Sequence, residues 1–213
     1  MSALRRIAIL ASGAGSNMEA IAAACEQGVI PATVGLVIAN VPGAMVLERA
    51  ERRRIPHYCI DHRQFEDRDA FEREMLRALR EASIDFVVLA GFMRILTDRF
   101  IGEYYGSLLN IHPSLLPKYP GLNTHQRALD AGDRESGATV HFVTPELDAG
   151  PSIVQARVNI GPKDDAASLA ARVQEQEHRI YPLAVRWCIE GTVMLRDGKI
   201  WKDESIMSNG INA

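Results

Sequence analysis

The chain has 213 residues, of which 47% are hydrophobic and 24% are charged, an ordinary balance for a globular protein that can bury its core in one domain. Its formal net charge of -3 and sequence pI near 6.1 argue against a nucleic-acid-binding protein, in which a basic excess is usual. Three cysteines without a Cys-x-x-Cys pair argue against a disulfide framework and against a structural zinc site.

The N-terminal residues lead directly into a strand-like segment, and no apolar signal region or spanning stretch of about 18 or more residues follows. The sequence therefore predicts a cytoplasmic protein. In a reducing cytosol, we expect the cysteines to be buried free thiols, at Cys25, Cys59 and Cys188. The dense basic run at Arg49 and residues 52–54 is expected to lie on the solvated face of a helix.

Short apolar runs alternate with helical patterns in the first half of the chain. Strands are predicted over residues 7–10, 34–39, 57–60, 86–90 and 108–111. Helices are predicted over about 17–27, capped by Ser16 and ended by Gly28, and over 44–54, 68–82 and 98–105. Buried strands that alternate with helices predict an α/β fold with an open, mostly parallel twisted sheet and helices on both faces, as in Rossmann-like proteins.

The pattern changes after residue 112. Residues 112–122 contain three prolines and Gly121, which indicates a loop of defined shape. Two further strands are predicted over 138–143 and 152–158, followed by a long helix over 165–190 that Pro182 is expected to kink or split. The tail over 193–202 is predicted to be an antiparallel hairpin that turns at Asp197-Gly198. The simplest organisation is a single domain.

The turn between the first strand and the first helix, residues 12–17, contains two glycines. Backbone N–H groups at the start of a helix form a natural phosphate site. The turn is not a dinucleotide fingerprint, because Met18 replaces its third glycine and Asn40 stands where an acid is expected after the second strand. The functional hypothesis is a single phosphate held by Gly15, Ser16 and Asn17. The alternative is a tight turn without a ligand.

The segment from Asn110 to Pro117 carries the polar residues that best suit chemistry. Asn110 and His112 are two residues apart on a predicted strand, so their side chains point to the same side. His112 is expected just past the carboxyl end of a parallel strand, where open α/β sheets bind ligands. An amide beside an imidazole suits stabilisation of an oxyanion during acyl transfer. The alternative is a structural histidine with no catalytic role.

Five segments resemble, in order, the folate-dependent formyltransferases, and most closely the branch that acts on glycinamide ribonucleotide. They are residues 13–17, 88–96, 110–121, 141–151 and 174–182, and the resemblance extends from about residue 7 to 190. The departures at Asn123, Gln126-Arg127 and Ala149 lie beside the expected site. The resemblance implies one catalytic domain over 1–213, with a phosphate-binding βα half over 1–105 and a catalytic, folate-binding half over 106–213.

The resemblance also implies a reaction. A formyl group passes from 10-formyltetrahydrofolate, a co-substrate, to the amine of N1-(5-phospho-D-ribosyl)glycinamide in purine biosynthesis, and no metal takes part. Asn110 and His112 would stabilise the oxyanion, and Asp148 would pair with His112 and assist proton transfer. The alternative for Asp148 is a structural turn acid. The expected partners are these small molecules, with neither nucleic acid nor membrane, and the chain would be a monomer or a homodimer.

The same resemblance assigns residues to the ligands. Glu177 and Gln174 would bind the ribose; for Glu177, a surface helix acid is the alternative. Contacts to the folate would come from Arg68, Met93, Arg94, Ile95, Leu96, Asn110, Thr144, Pro145, Glu146, Leu147 and Asp148. Core packing is the alternative for the apolar residues of the 93–96 segment. Lys118 could bind an anion or could simply face solvent.

Three rival functions follow from related patterns. Methionyl-tRNA formyltransferase and formyltetrahydrofolate hydrolase share the catalytic core, but each is expected to carry an extra domain that this chain lacks. A non-catalytic folate- or nucleotide-binding module does not need Asn110, His112 and Asp148 together. An NAD-dependent oxidoreductase is disfavoured by Met18 and Asn40.

Overall fold

The computed structural model describes residues 4–203, 205–207 and 210–212. The chain divides into two units, of which the first ends at Leu109 and the second begins at Asn110. Across the described residues, none of the helices is both long and apolar enough to cross a membrane.

Strands and helices alternate strictly in unit 1. Its elements are β1 (Arg5–Ala11), α1 (Ser16–Glu26), β2 (Ala32–Ala39), α2 (Met45–Arg52), β3 (His57–Cys59), a 3₁₀ turn (His62–Gln64), α3 (Arg68–Glu81), β4 (Phe86–Leu89) and α4 (Asp98–Glu103). Strand β5 (Leu108–His112) begins in this unit and ends in the next.

The strands of unit 1 lie in the order β4-β1-β2-β3, and every pair is parallel. Successive residues of β1 from Ile7 to Leu10 are all fully buried. Because neighbouring residues of a strand point to opposite faces, both faces of the sheet are covered, as predicted for a strand between helices. The chain runs outward from β1 through β2 to β3 and then crosses back to β4 on the other side of β1, so the carboxyl ends of β1 and β4 form a topological switch point.

Unit 2 contains the rest of β5, then α5 (Thr124–Asp130), β6 (Glu135–Phe142), β7 (Ser152–Asn159) and α6 (Ala166–Glu190). Strands β6 and β7 are antiparallel, and the long helix α6 packs on both. The tail forms β8 (Val193–Arg196), β9 (Lys199–Lys202), β10 (Ser205–Met207) and β11 (Ile211–Asn212). The first three make a small antiparallel sheet, and β11 pairs with β7 in parallel. The predicted fold class is confirmed.

The predicted hairpin of the tail is confirmed, since Asp197 and Gly198 both adopt positive φ, as a two-residue type I′ turn requires. Pro182 was expected to kink or split the long helix; the split is wrong, because α6 is one helix of 25 residues, and the kink stays a prediction. Proline removes only one backbone donor, and the buried residues around it, Tyr181 and Ala184 among them, keep the helix packed.

Two smaller expectations are corrected, and one helix was missed. Ser16 does not cap α1; Gly15 is the N-cap, in the left-handed conformation, and Ser16 is the first helical residue. The short helix α5 was not predicted, since only Thr124 and Ala128 of its residues are buried. Burial of the cysteines is right only for Cys188, whereas Cys25 is half-buried and Cys59 is exposed because it lies on the edge strand β3.

Candidate active site

Strand β5 carries the two polar residues singled out from the sequence. It extends to His112, so this histidine is the last residue of the strand rather than the residue after it. Leu108, Leu109 and Ile111 are buried and fix the strand in the core. Asn110 is half-buried and His112 is 5% exposed. The interior of unit 2 thus holds a largely desolvated imidazole.

Both ring nitrogens of His112 face oxygen atoms. The Nε2 atom lies 2.8 Å from the backbone carbonyl oxygen of Tyr119. A carbonyl oxygen can only accept, so Nε2 carries a hydrogen and donates it. The Nδ1 atom lies 3.4 Å from Asp148 Oδ2. That distance suits an ion pair but exceeds a good hydrogen bond, so an Nδ1–H group would still be able to donate to another oxygen.

Asp148 lies between two histidines. Its side chain is 8% exposed, and its Oδ1 atom is 3.8 Å from His141 Nε2. Its Oδ2 atom accepts a hydrogen bond of 2.8 Å from the backbone N–H of Gly121. The residue has φ of 51°, in the left-handed region that aspartate tolerates better than most residues. Both the catalytic role and the alternative of a structural turn acid fit these contacts, and the catalytic role stays a prediction.

His141 is a member of the site that the sequence interpretation missed. Its Nδ1–H donates to the carbonyl oxygen of Phe142 at 2.9 Å, which leaves Nε2 as an acceptor. Asn110 Nδ2 lies 3.2 Å from that nitrogen and donates to it. Burial lowers the pKa of the His141 imidazole, which favours this neutral acceptor form. The available signal was a second histidine at the end of an apolar strand, shortly before Asp148.

The loop from Pro113 to Gly121 is held by side chains of the strands behind it. Thr139 Oγ1 donates to the Ser114 carbonyl at 2.7 Å and accepts from the Leu116 N–H at 3.1 Å. Gln155 Nε2 donates to the Leu116 carbonyl at 2.7 Å. These bonds fix the loop that presents the Tyr119 carbonyl to His112 and the Gly121 N–H to Asp148. Lys118 Nζ pairs with Asp133 at 2.9 Å.

Gly150 sets the path of the chain that carries Asp148. A Cβ atom at this position would lie 1.8 Å from the carbonyl oxygen of Phe142. We expect Gly150→Ala to lower the free energy of unfolding by about 1–3 kcal/mol or more, the usual cost of overpacking. We also expect kcat to fall, since Asp148 would move. Gly102→Ala is the control, because nothing lies within 4 Å of its added Cβ and alanine favours a helix. Urea unfolding of both variants checks this, and equal midpoints would contradict it.

The two glycines of the turn in unit 1 have different surroundings: one packs against a helix, and the other faces open space. Gly15 has φ of 79°, and a Cβ there would lie 2.6 Å from Val46 Cγ2, so helix packing alone requires this glycine. Gly13 has no heavy atom within 4 Å of an added Cβ. Ser16 is half-buried and Asn17 is buried, both in the first turn of α1. The predicted phosphate site is compatible with this geometry and stays a prediction.

The segment after β4 presents apolar side chains to solvent. Met93 is 66% exposed and Ile95 is 53% exposed, whereas Leu96 is 6% exposed. Core packing is therefore wrong for Met93 and Ile95 and right for Leu96. Arg94 is half-buried and Arg68 is exposed at the start of α3. The backbone N–H of Ser12 donates to the Gly91 carbonyl at 3.0 Å, so this segment adjoins the glycine turn at the switch point.

The remaining predicted ligand residues lie in unit 2. Glu177 is 8% exposed, so it is not the surface helix acid of the alternative interpretation. Gln174, one turn earlier on α6, is exposed. The segment from Thr144 to Leu147 is a largely exposed loop that leads into Asp148. Within unit 2 the structure brings together Asn110, His112 and Asp148, and adds His141.

Comparisons with known proteins find relatives of this chain. Residues 5–185 match the family described as formyl transferase. The chain is 48% identical over 197 residues to the phosphoribosylglycinamide formyltransferase of Escherichia coli (strain K12). The matched region covers 92% of this chain and 93% of that protein. The structure of the phosphoribosylglycinamide formyltransferase from Coxiella burnetii superposes with a TM-score of 0.94 at 41% identity, over 99% of both chains. A formyltetrahydrofolate deformylase from Pseudomonas syringae pv. tomato is 26% identical with a TM-score of 0.87, over 94% of this chain and 66% of that one.

Proposed function

This chain belongs to the formyl transferase family, and we propose that it acts as a phosphoribosylglycinamide formyltransferase. It transfers the formyl group of 10-formyltetrahydrofolate to the amine of N1-(5-phospho-D-ribosyl)glycinamide, a step of purine biosynthesis. The observation that carries the proposal is the group of a half-buried Asn110, a buried His112 and Asp148 on a chain similar to named transferases over most of its length.

The first step is attack of the acceptor amine on the formyl carbon. A new C–N bond forms, and the formyl oxygen becomes an oxyanion. Asn110 gives one amide hydrogen to His141, so the amide is oriented and its second hydrogen is directed to the oxyanion. Because Nε2 already carries the hydrogen given to the Tyr119 carbonyl, His112 offers an Nδ1–H donor when the ring is protonated, and it then also carries a positive charge. One such donor is worth about 3 kcal/mol of the barrier.

The second step moves one proton. Attack leaves the amine nitrogen with an extra proton, and the folate nitrogen needs a proton to depart. Asp148 accepts the proton, directly or through a water molecule, and returns it to the folate nitrogen as the old C–N bond breaks. No group is oxidised or reduced, and no net proton is released. The Gly121 N–H holds the Asp148 carboxylate in place during this transfer.

The two substrates are assigned to separate segments. The phosphate of the acceptor would bind at Gly15, Ser16 and Asn17, where the start of α1 offers backbone donors. Its ribose would contact Glu177 and Gln174. Contacts to the folate are assigned in unit 1 to Arg68 and to the exposed Met93 and Ile95, and in unit 2 to the backbone of residues 144–148.

The test is a formyl transfer assay with the purified chain, which follows the change in folate absorbance when both substrates are present. Turnover that depends on the ribonucleotide supports the proposal. Turnover with water alone would support a hydrolase. This second candidate function is suggested by the similarity to the deformylase from Pseudomonas syringae. No turnover in either condition would leave a binding module.

Ser16→Asp tests the phosphate site. An acidic residue suits the first turn of a helix, so the variant is expected to fold. Like charges about 4 Å apart repel by about 1–4 kcal/mol in a partly solvated site, so the KM for the ribonucleotide should rise at least about tenfold. Affinity for a folate analogue should be largely kept. Ser16→Asn, which is neutral, is the matched control, and equal losses for both ligands in Ser16→Asp would contradict the assignment.

The cellular setting follows from the same substrates. We infer a cytoplasmic enzyme, a monomer or a homodimer, that binds neither nucleic acid nor membrane. The support is the net charge of -3 and the similarity to the phosphoribosylglycinamide formyltransferase of Escherichia coli. Light scattering of the purified chain distinguishes the two oligomeric states.

A further inference from the structure

The carboxyl ends of β1 and β4 are joined by a serine hydroxyl. Ser12 follows β1, and its Oγ accepts a hydrogen bond of 2.7 Å from the backbone N–H of Met93. Its backbone N–H donates to the Gly91 carbonyl at 3.0 Å. Ser12 therefore holds the first part of the segment from Gly91 to Thr97, here named the donor turn, through two bonds to backbone atoms.

The hydroxyl is oriented by Asn40, at the end of β2. Ser12 Oγ donates its only hydrogen to Asn40 Oδ1 at 2.6 Å, so the oxygen lone pairs are left to face the Met93 N–H. Asn40 is 2% exposed, and its Nδ2 atom lies 3.3 Å from His62 Nδ1. The position that in dinucleotide-binding proteins carries an acid for a ribose is thus occupied here by an amide turned inward.

The other end of the donor turn is held by Glu72 of α3. This carboxylate is 3% exposed and accepts hydrogen bonds from the Thr97 N–H, at 2.9 Å, and from the Thr97 hydroxyl. Arg68 lies one turn before Glu72 on the same helix, close enough for its charge to act on Glu72. Buried polar groups therefore hold both ends, while Met93 and Ile95 between them remain exposed.

We propose that Ser12 and Asn40 are positioning residues for the formyl donor, which hold the donor turn in the conformation that binds the folate. The inference rests on the proposed function, because it requires residues 93–96 to contact the folate. A turn ordered before binding costs less conformational entropy when the ligand arrives. Loss of the Ser12 hydroxyl should therefore weaken donor binding selectively, since the chemical groups on Asn110, His112 and Asp148 are untouched.

The experiment compares Ser12→Ala and Asn40→Ala with the unaltered chain. Binding of 10-formyl-5,8-dideazafolate, a stable analogue of the donor, is measured by calorimetry, and both KM values and kcat are measured by turnover. We expect the dissociation constant and the donor KM to rise about tenfold in Ser12→Ala, the scale of one or two lost hydrogen bonds. Asn40→Ala should show the same pattern. The kcat at saturating donor and the KM for the ribonucleotide should change by less than about threefold, since their groups are kept.

Ser107→Ala is the matched control. Its hydroxyl donates to the Tyr104 carbonyl at 3.1 Å, before β5 and away from the donor turn. All constants should be unchanged in it. Unchanged analogue affinity in both test variants would overturn the inference, and so would equal weakening of donor and ribonucleotide. If the unaltered chain binds the analogue but does not formylate the ribonucleotide, the proposed acceptor is wrong, while the binding comparison still decides the role of Ser12 and Asn40.

Discussion

The His112→Ala variant is expected to lose about two orders of magnitude or more in kcat, the scale set by oxyanion donors and acid–base groups. The substitution removes the ring that links the Tyr119 carbonyl to Asp148. It takes away a donor for the oxyanion and removes the imidazole that lies 3.4 Å from the Asp148 carboxylate. Because the ring acts mainly on the transition state, KM for each substrate should change much less than kcat. Steady-state kinetics with both substrates varied measure this.

His57→Ala is the control for this variant. His57 also has a ring nitrogen 3.0 Å from a backbone carbonyl, that of Ile55, but it lies on the edge strand β3 in unit 1. We expect its kcat to equal that of the unaltered chain. Near-normal turnover of His112→Ala, with the fold intact by circular dichroism, would refute the oxyanion role.

The fold of unit 1 could be read from the sequence because its central strands, β1 and β4, are buried on both faces. A continuous apolar run such as residues 7–10 predicts such a strand, and all four residues are fully buried. That Asn110 and His112 lie on one face of β5 was also predictable, because residues two apart on a strand share a face. Both inferences use periodicities that the chain carries locally.

The rest of the site could not be predicted because backbone atoms and distant residues complete it. The Tyr119 carbonyl and the Gly121 N–H are present in any residue type, so no sequence pattern marks them. His141 comes to Asn110 only when β5 and β6 are paired within unit 2. The sequence showed that Asn40 stands where a dinucleotide-binding protein has an acid. The hydrogen bond between Asn40 and Ser12 could not be predicted, because it joins two strand ends that are 28 residues apart in the chain.

The Asp148→Asn variant is expected to lower kcat by about two orders of magnitude or more while leaving the fold nearly unchanged, since it removes a base and a charge but little volume. The asparagine oxygen can still accept from the Gly121 N–H, and asparagine tolerates the positive φ at this position. What it cannot do is take the proton of the attacking amine or pair with a protonated His112. Single-turnover formyl transfer, with both substrates bound, isolates this chemical step.

Asp197→Asn is the matched control for Asp148→Asn. Asp197 has φ of 52°, against 51° at Asp148, but it lies in the turn of the C-terminal hairpin. The same chemical change at the same backbone conformation should leave kcat and the unfolding temperature unaltered there. A large loss at Asp148 alone therefore isolates the carboxylate charge from any effect of the backbone. If instead Asp148→Asn keeps normal single-turnover rates, the proton must leave the amine by a route through bulk water, and Asp148 holds the loop at Gly121 without taking part in the chemistry.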